Sequence, residues 1–248
     1  MEIELRKKDK LFLVLGGFFL TNALLAEIIG AKIFSLEQLL HLPPAQLSFF
    51  GSYVLDFNLT AGVLIWPVVF VVSDIINEYY GRKGVQIISF ATAGFILFAF
   101  AIIYLSANLP PAQFWLDINN KDANGNNFDI NFAFSAIFRQ GLGIIAGSLT
   151  AFLLGQAIDA TVFLYIRKLT GEKLIWLRAT GSTVVSQLID SFVVLLIAFH
   201  FFGNWSLDLV IAVGIMNFIY KITIALILIP FLYLSHFFID RYLKADSK

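Results

Sequence analysis

Long apolar stretches constrain this chain more than any other feature. An α-helix rises about 1.5 Å per residue, so roughly 20 consecutive apolar residues cross the hydrocarbon core of a bilayer. Backbone amides in lipid must be hydrogen-bonded within their own segment, which makes each such stretch a helix. Six stretches reach the required length, at about 11–34, 58–80, 85–106, 140–166, 179–202 and 209–239. The sequence therefore predicts an all-α, polytopic membrane protein with six transmembrane helices, in which residues 1–248 form a single integral membrane domain.

The positions of Arg and Lys predict the orientation of these helices. Most of the cations fall in the two tails and in the two loops that would lie on the same side as the tails: Arg6, Lys7, Lys8, Lys10, Arg82, Lys83, Arg167, Lys168, Lys173, Arg178, Arg241, Lys244 and Lys248. The opposite loops hold only Lys121 and Arg139. Because Arg and Lys accumulate in cytoplasmic loops, both termini are predicted to be cytoplasmic. The longer loops at about 35–57 and 107–138 then face outward.

Composition excludes several classes of function. Hydrophobic residues make up 59% of the chain and charged residues only 14%, whereas a soluble domain has about 25% charged residues. The formal net charge of zero argues against a nucleic-acid partner. The chain has no cysteine, and His41, His200 and His236 are far apart, so neither a metal site nor a cofactor is indicated. The first apolar run is too long for a cleavable signal peptide.

Polar residues inside the predicted helices mark the candidate site. A charged side chain at the bilayer centre costs roughly 2.5–3.5 kcal/mol, so such residues are functional by default. In the second helix, the i, i+3, i+4 spacing of three polar residues places them on one face. Similar pairs occur in the fourth, fifth and sixth helices. The candidate substrate-binding residues are Asp74, Asn77, Glu78, Gln156, Asp159, Gln187, Asp190, Asn217 and Lys221.

Some of these residues have simpler explanations that the sequence leaves open. Glu78 is equally well explained as a solvated helix end beside Arg82 and Lys83. Asp190 and Lys221 both lie near mid-depth, where they are predicted to form a buried ion pair that serves either the site or the packing of two helices. The amides of Gln156 and Gln187 could also serve only to bridge helices.

Four segments carry a resemblance to a known family. They are WPVVFVVSDIINEYYGRKG, SLTAFLLGQAIDATVFLYIRK, LRATGSTVVSQLIDSFVVLLIAF and NFIYKITIALILIPFLYL. In this order they resemble the bacterial VUT family of queuosine precursor transporters, over about residues 60–240. The resemblance implies six helices in the bacterial cytoplasmic membrane and no enzymatic activity. It also implies import of a queuosine precursor, such as 7-cyano-7-deazaguanine or 7-aminomethyl-7-deazaguanine, for salvage into tRNA.

The family's polar positions fall on residues of this chain. The acid of the family's second helix corresponds to Asp74, and the Gln and Asp of its fourth helix correspond to Gln156 and Asp159. The acid of its fifth helix corresponds to Asp190, and the lysine of its sixth helix corresponds to Lys221. Two departures are visible. Gly143 stands where the family has an arginine, which Arg139 one turn earlier could replace. Glu27 stands where an amide residue is expected in the first helix.

The chemistry of these residue types suits such a substrate. A deazaguanine presents a ring N–H and an exocyclic amine side by side, and a carboxylate accepts two such hydrogen bonds together. We therefore expect Asp74 or Asp159 to bind the guanine-like edge, with Gln156 or Gln187 beside it. Asp190 and Lys221 would set the local field or relay protons.

Other functions stay open at this point. The substrate-binding subunit of an energy-coupling-factor vitamin importer is a six-helix protein of similar size and is the alternative function. An intramembrane aspartyl protease would need a juxtaposed pair such as Asp159 and Asp190, but the glycines that usually accompany the pair are missing. The expected partners are a small-molecule substrate and the lipid bilayer. The sequence leaves open the exact deazaguanine, the driving ion and whether the chain forms a homo-oligomer.

Overall fold

The helices account for most of the fold. A computed structural model describes residues 6–30, 32–49, 53–138, 142–171 and 173–244. Arg139 lies outside these ranges, so its predicted substitution for an arginine at Gly143 stays a prediction. In chain order the helices are α1 (Lys7–Ile29), α2 (Leu36–Leu39), α3 (Trp66–Ala107), α4 (Gln113–Ile118), α5 (Ile130–Phe138), α6 (Leu142–Thr170), α7 (Ile175–Leu195), α8 (Leu207–Ile227) and α9 (Ile229–Lys244). A π-helical turn, Leu196–Phe201, continues α7.

Within the described residues, five helices are long and apolar enough to cross a membrane. They are α1, α3, α6, α7 with its π-helical end, and α8. The prediction of a multi-pass helical membrane protein is thus confirmed. The helix α3 has 42 residues and covers both the second and the third predicted spans. Between those two spans Gly81 has φ 69° and ψ −177°, which interrupts the helical backbone at a kink.

The segment before α3 departs from the all-α prediction. Four short strands form there: β1 (Ile33–Ser35) at the end of the predicted first span, β2 (Leu47–Phe49) and β3 (Tyr53–Leu55) in the predicted loop, and β4 (Asn58–Thr60) at the start of the predicted second span. β1 pairs with β4 and β2 with β3, both antiparallel. β4 and the 3₁₀ turn Ala61–Leu64 use residues that were expected to begin the second span at 58. The helix therefore begins at Trp66, followed by Pro67, a residue favoured in a first helical turn because its missing N–H is not needed there.

Two other segments also differ from the sequence prediction. The sixth span, expected at 209–239, is divided into α8 and α9 next to Pro230, whose ring removes a helical hydrogen bond and crowds the preceding turn. The segment predicted as a loop at 107–138 contains the helices α4 and α5, with a turn around Asp122 between them. Hydrogen bonds from the Asn126 side chain and from the backbone N–H groups of Asn126, Asn124 and Gly125 hold the pKa of Asp122 below its usual range.

The core is built where α1, α3 and α6 meet. Phe19, Val69, Ile96 and Phe152 are fully buried there. The rings of Trp66 and Phe152 lie 5.5 Å apart, which fixes the start of α3 against α6. Large apolar side chains on the opposite faces are exposed, as suits contact with acyl chains, including Phe90, Phe98, Leu105 and Phe237.

Candidate functional site

A cavity of about 230 Å³ lies between α1, α6, α7 and α8, next to the strands, and is called the outer cavity after its side in the predicted topology. Since a water-sized group needs about 15 Å³, the cavity has room for a solute of roughly a dozen heavy atoms. The polar side chains on its walls are Glu27, Thr60, Ser148, Asp190, Asn217 and Lys221. Four helices thus contribute polar groups to one space inside a lipid-facing protein.

An ion pair between α7 and α8 forms one wall of the outer cavity. Lys221 Nζ donates a hydrogen bond to Asp190 Oδ2, and both side chains are largely buried. This contact confirms the predicted pair. Two charges taken out of water are costly unless they are matched, so each holds the other in place. Gly155 of α6 lies beside the pair, and a Cβ at this position would make only ordinary van der Waals contact, 3.7 Å from Asp190 Cβ and 3.9 Å from Phe70 Cζ.

An inner cavity of about 30 Å³ lies beyond the ion pair, between α3, α7 and the α8–α9 junction. It has room for about two water-sized groups. Asp74, Thr183 and Gln187 contribute its polar lining, and Phe70 contributes an aromatic face. Trp66 and Lys221 line both cavities, so these two side chains lie between them.

A layer of buried polar side chains joins α3, α6 and α7 beside the inner cavity. Ser73 Oγ donates to Gln156 Oε1 at 2.6 Å, and Ser186 Oγ donates to Asp159 Oδ1 at 3.1 Å. The carboxyl groups of Asp74 and Asp159 lie close enough to each other to interact electrostatically. The sequence had suggested Asp159 and Asp190 as the juxtaposed acids, but it is Asp74 that meets Asp159.

Several atoms in this layer have no hydrogen-bond partner among the described residues. They are Asp74 Oδ1, Asn77 Oδ1, Gln156 Nε2, Asp159 Oδ2 and Gln187 Nε2. Buried polar atoms are nearly always hydrogen-bonded, because leaving one unmatched costs about 1–3 kcal/mol. Of these residues Asp74 and Gln187 line the inner cavity, so an acceptor atom and a donor atom without a partner in the described part of the chain stand in its wall.

A cluster of charges closes the layer on the side opposite to the outer cavity. Arg178 Nη2 lies 2.8 Å from Glu78 Oε1, and Arg167 Nη2 lies 3.4 Å from the same oxygen. The Arg178 side chain is only 2% exposed, and its Nη1 also donates to the Gly171 carbonyl at 3.0 Å. Glu78 is therefore an ion-pair partner rather than a solvated helix end beside Arg82 and Lys83.

The structure divides eight of the nine predicted site residues into three groups and leaves Glu78 outside them. Asp190, Asn217 and Lys221 line the outer cavity; Asp74 and Gln187 line the inner one. Asn77, Gln156 and Asp159 are packed in the buried layer, where Asn77 Nδ2 donates to the Ala160 carbonyl at 3.2 Å. Glu78 lines neither cavity.

Sequence reasoning missed two charged residues at these places. Arg178 was counted as a loop cation, yet it shares one face of α7 with Ser182 and Ser186, four and eight residues later, and that spacing was the available signal. Glu27 was noted only as a departure from the family pattern, although an acid inside a predicted span is itself a functional signal. Trp66, between the cavities, lies at the start of α3, where an aromatic residue gives no distinct signal.

Comparisons with known proteins agree with this architecture. Residues 60–235 match the family model described as "Putative vitamin uptake transporter". A protein of Bacillus subtilis (strain 168) named "Probable queuosine precursor transporter" is 32% identical over 184 residues. The similarity covers 71% of this chain and 72% of that protein. No solved structure matches the chain.

Proposed function

The chain belongs to the vitamin uptake transporter family, and from this premise we propose that it imports a queuosine precursor across the bacterial cytoplasmic membrane. Family membership confirms the resemblance seen in the sequence and makes the chain a membrane transporter rather than an enzyme. The proposed substrate is 7-cyano-7-deazaguanine or 7-aminomethyl-7-deazaguanine, which the cell would use to salvage queuosine for its tRNA. The name of the Bacillus subtilis relative supports this substrate class.

The proposed topology has six spans with both termini in the cytoplasm, in one domain of 248 residues. At about 1.5 Å per residue, a straight helix of the length of α3 would measure about 63 Å, roughly twice the thickness of the hydrocarbon core. The kink at Gly81 divides α3 into two spans that cross in opposite directions. The turn then places Arg82 and Lys83 on the same side as the N-terminal cations, as the positive-inside rule requires.

The observation that carries the proposal is the outer cavity, whose polar walls come from four helices that lipid surrounds. In the proposed mechanism the planar substrate enters this cavity from outside and contacts Asp190, Asn217 and Lys221. It then passes Trp66 to reach Asp74 and Gln187, with Asn77, Gln156 and Asp159 behind them. The rings of Trp66 and Phe70 provide stacking surfaces, which contribute about 1–3 kcal/mol per base in proteins that bind nucleobases.

The difference between the two ends of the site supports transport by alternating access. The outer cavity is several times larger than the inner one, and the Glu78–Arg178–Arg167 cluster lies on the opposite side of the buried layer, which is the cytoplasmic side in the proposed topology. This corresponds to an outward-facing state, in which Glu78 serves to close the path rather than to bind substrate. Release into the cytoplasm would then require the cluster to separate.

A rescue experiment tests the proposed function. A bacterial strain that can neither make queuosine nor import its precursors receives this gene and a nanomolar supply of either deazaguanine, and queuosine in its tRNA is measured. We expect the gene to restore queuosine, whereas the Asp190→Asn variant, produced at equal level, should not. If the wild-type chain reaches the membrane and no queuosine appears with either precursor, the proposed substrate is wrong.

A further inference from the structure

Glu27 lies at a position in the outer cavity that the transport mechanism above does not use. It is located near the end of α1, is 5% exposed, and lines the cavity together with Asp190, Asn217 and Lys221. Its Oε2 accepts a hydrogen bond from Ser148 Oγ of α6 at 2.8 Å. This bond restricts the orientation of the carboxylate on the cavity wall.

The backbone around Glu27 is held closely against the turn that precedes α3. A Cβ at Gly62 would lie 2.7 Å from the Ala26 carbonyl oxygen, and one at Gly30 would lie 2.9 Å from the same atom. Glycine at position 62 allows the Ala61–Leu64 turn to pack directly on α1, and glycine at position 30 avoids a clash within the end of α1 itself. The carboxylate of Glu27 is therefore carried by a rigid part of the structure, as a selective binding group requires.

The position of Glu27 distinguishes it from the acids that the sequence favoured for substrate recognition. Asp159 lines neither cavity, and Asp74 faces a cavity with room for only about two water-sized groups. Glu27 instead lines the outer cavity, which is the larger of the two cavities and has room for a heterocycle. Asn217 and Lys221 on the same walls are hydrogen-bond donors.

We propose that Glu27 is the specificity-determining carboxylate of the outer cavity and binds the ring N–H and exocyclic amine of a guanine-like edge. The inference rests on the proposed function and adds which atoms of the substrate are recognised. A guanine-like edge presents two neighbouring donors and then a carbonyl acceptor. The two oxygens of Glu27 complement the donors, and the amide of Asn217 or the ammonium group of Lys221 complements the carbonyl.

The test compares two ligands that differ only in the exocyclic amine. The purified full-length chain in lipid nanodiscs is titrated with 7-cyano-7-deazaguanine and with 7-cyano-7-deazahypoxanthine, which lacks the amine. The wild-type chain should bind the first about 10- to 100-fold more tightly, since a lost contact of this kind discriminates by about that factor. Glu27→Gln should bind both ligands with similar affinity, because its amide has a single acceptor oxygen, which the ring N–H of either ligand occupies, and no second acceptor for the amine.

Matched variants separate recognition from folding. Asp208→Asn removes one negative charge from an exposed position at the start of α8 and should keep the wild-type discrimination. Glu27→Asp keeps the charge but shortens the side chain, and should weaken binding of the amine-bearing ligand more than that of the ligand without the amine, because the first loses two contacts and the second loses one. It provides the same comparison should Glu27→Gln not fold.

The outcomes of the titration are distinct. If the wild-type chain discriminates and the Glu27 variants discriminate equally well, Glu27 does not read this edge and the inference is overturned. Equal binding of both ligands by the wild-type chain also overturns it. If the wild-type chain binds neither ligand, the proposed function fails and the inference fails with it.

Discussion

Replacing Arg178 by Gln should destabilise the protein strongly. Breaking a buried ion pair by removing one partner costs about 3–5 kcal/mol, because the remaining charge is left without its match. Glu78 would keep Arg167 at 3.4 Å and is 14% exposed, so we expect the lower end, about 3 kcal/mol. The variant also loses the hydrogen bond to the Gly171 carbonyl and the contact of the guanidinium with the Phe163 ring, 5.7 Å away.

Thermal unfolding in detergent measures this effect. For a chain of this size, 1 kcal/mol corresponds to about 2–4 °C in Tm, so Arg178→Gln should lower Tm by roughly 6–12 °C. Lys168→Gln is the control, since it removes an exposed cation from the same end of the protein and should shift Tm by only about 1–2 °C. The double variant Arg178→Gln with Glu78→Gln should recover part of the loss, because no buried carboxylate is left without its partner. Equal shifts for Arg178→Gln and Lys168→Gln would refute the reasoning.

Three other predictions address the remaining parts of the site. Lys221→Gln leaves the Asp190 carboxylate unmatched and should lower both the amount of folded protein and uptake. The double variant with Asp190→Asn should regain folding but not uptake. Full uptake by the double variant would show that the pair has only a structural role. Asp159→Asn should abolish uptake with membrane insertion unchanged, and normal uptake would remove Asp159 from the site. Gly81→Ala should lower Tm by several degrees, because an L-residue at φ 69° and ψ −177° costs roughly 1–3 kcal/mol. The control is Gly94→Ala, in an open and helical part of α3, which should leave Tm unchanged or raise it. An equal decrease in Tm for Gly81→Ala and Gly94→Ala would contradict the role of the kink.

The helical membrane architecture could be predicted because hydropathy depends on local composition alone. The same property explains where the prediction was wrong. Residues 58–60 directly precede an apolar run and were therefore read as the start of a span, but they pair with β1, and such pairing depends on residues about 25 positions away. The division of the sixth span next to Pro230 was visible in the sequence, yet proline also occurs inside transmembrane helices, so the break did not follow from its presence.

The site was predictable in its residue types but not in its arrangement. The pair Asp190–Lys221 was found because both residues lie at the same depth on neighbouring helices. The burial of Arg178 was not found, because it depends on Glu78, a hundred residues earlier in the chain. The division into two cavities follows from the position of Trp66, which is set by its packing on Phe152. Such long-range contacts leave no periodic signal in the sequence.

Uptake by the purified chain alone is the most direct test of the claim that the polar groups of separate helices form a path for a planar, donor-rich solute. Proteoliposomes containing only this chain would be given radiolabelled 7-cyano-7-deazaguanine or 7-aminomethyl-7-deazaguanine. We expect saturable uptake of at least one of them that excess unlabelled compound blocks and that Asp190→Asn abolishes. Tight binding without any uptake would contradict a self-sufficient transporter and would instead indicate the substrate-binding subunit of an importer whose energy comes from another chain.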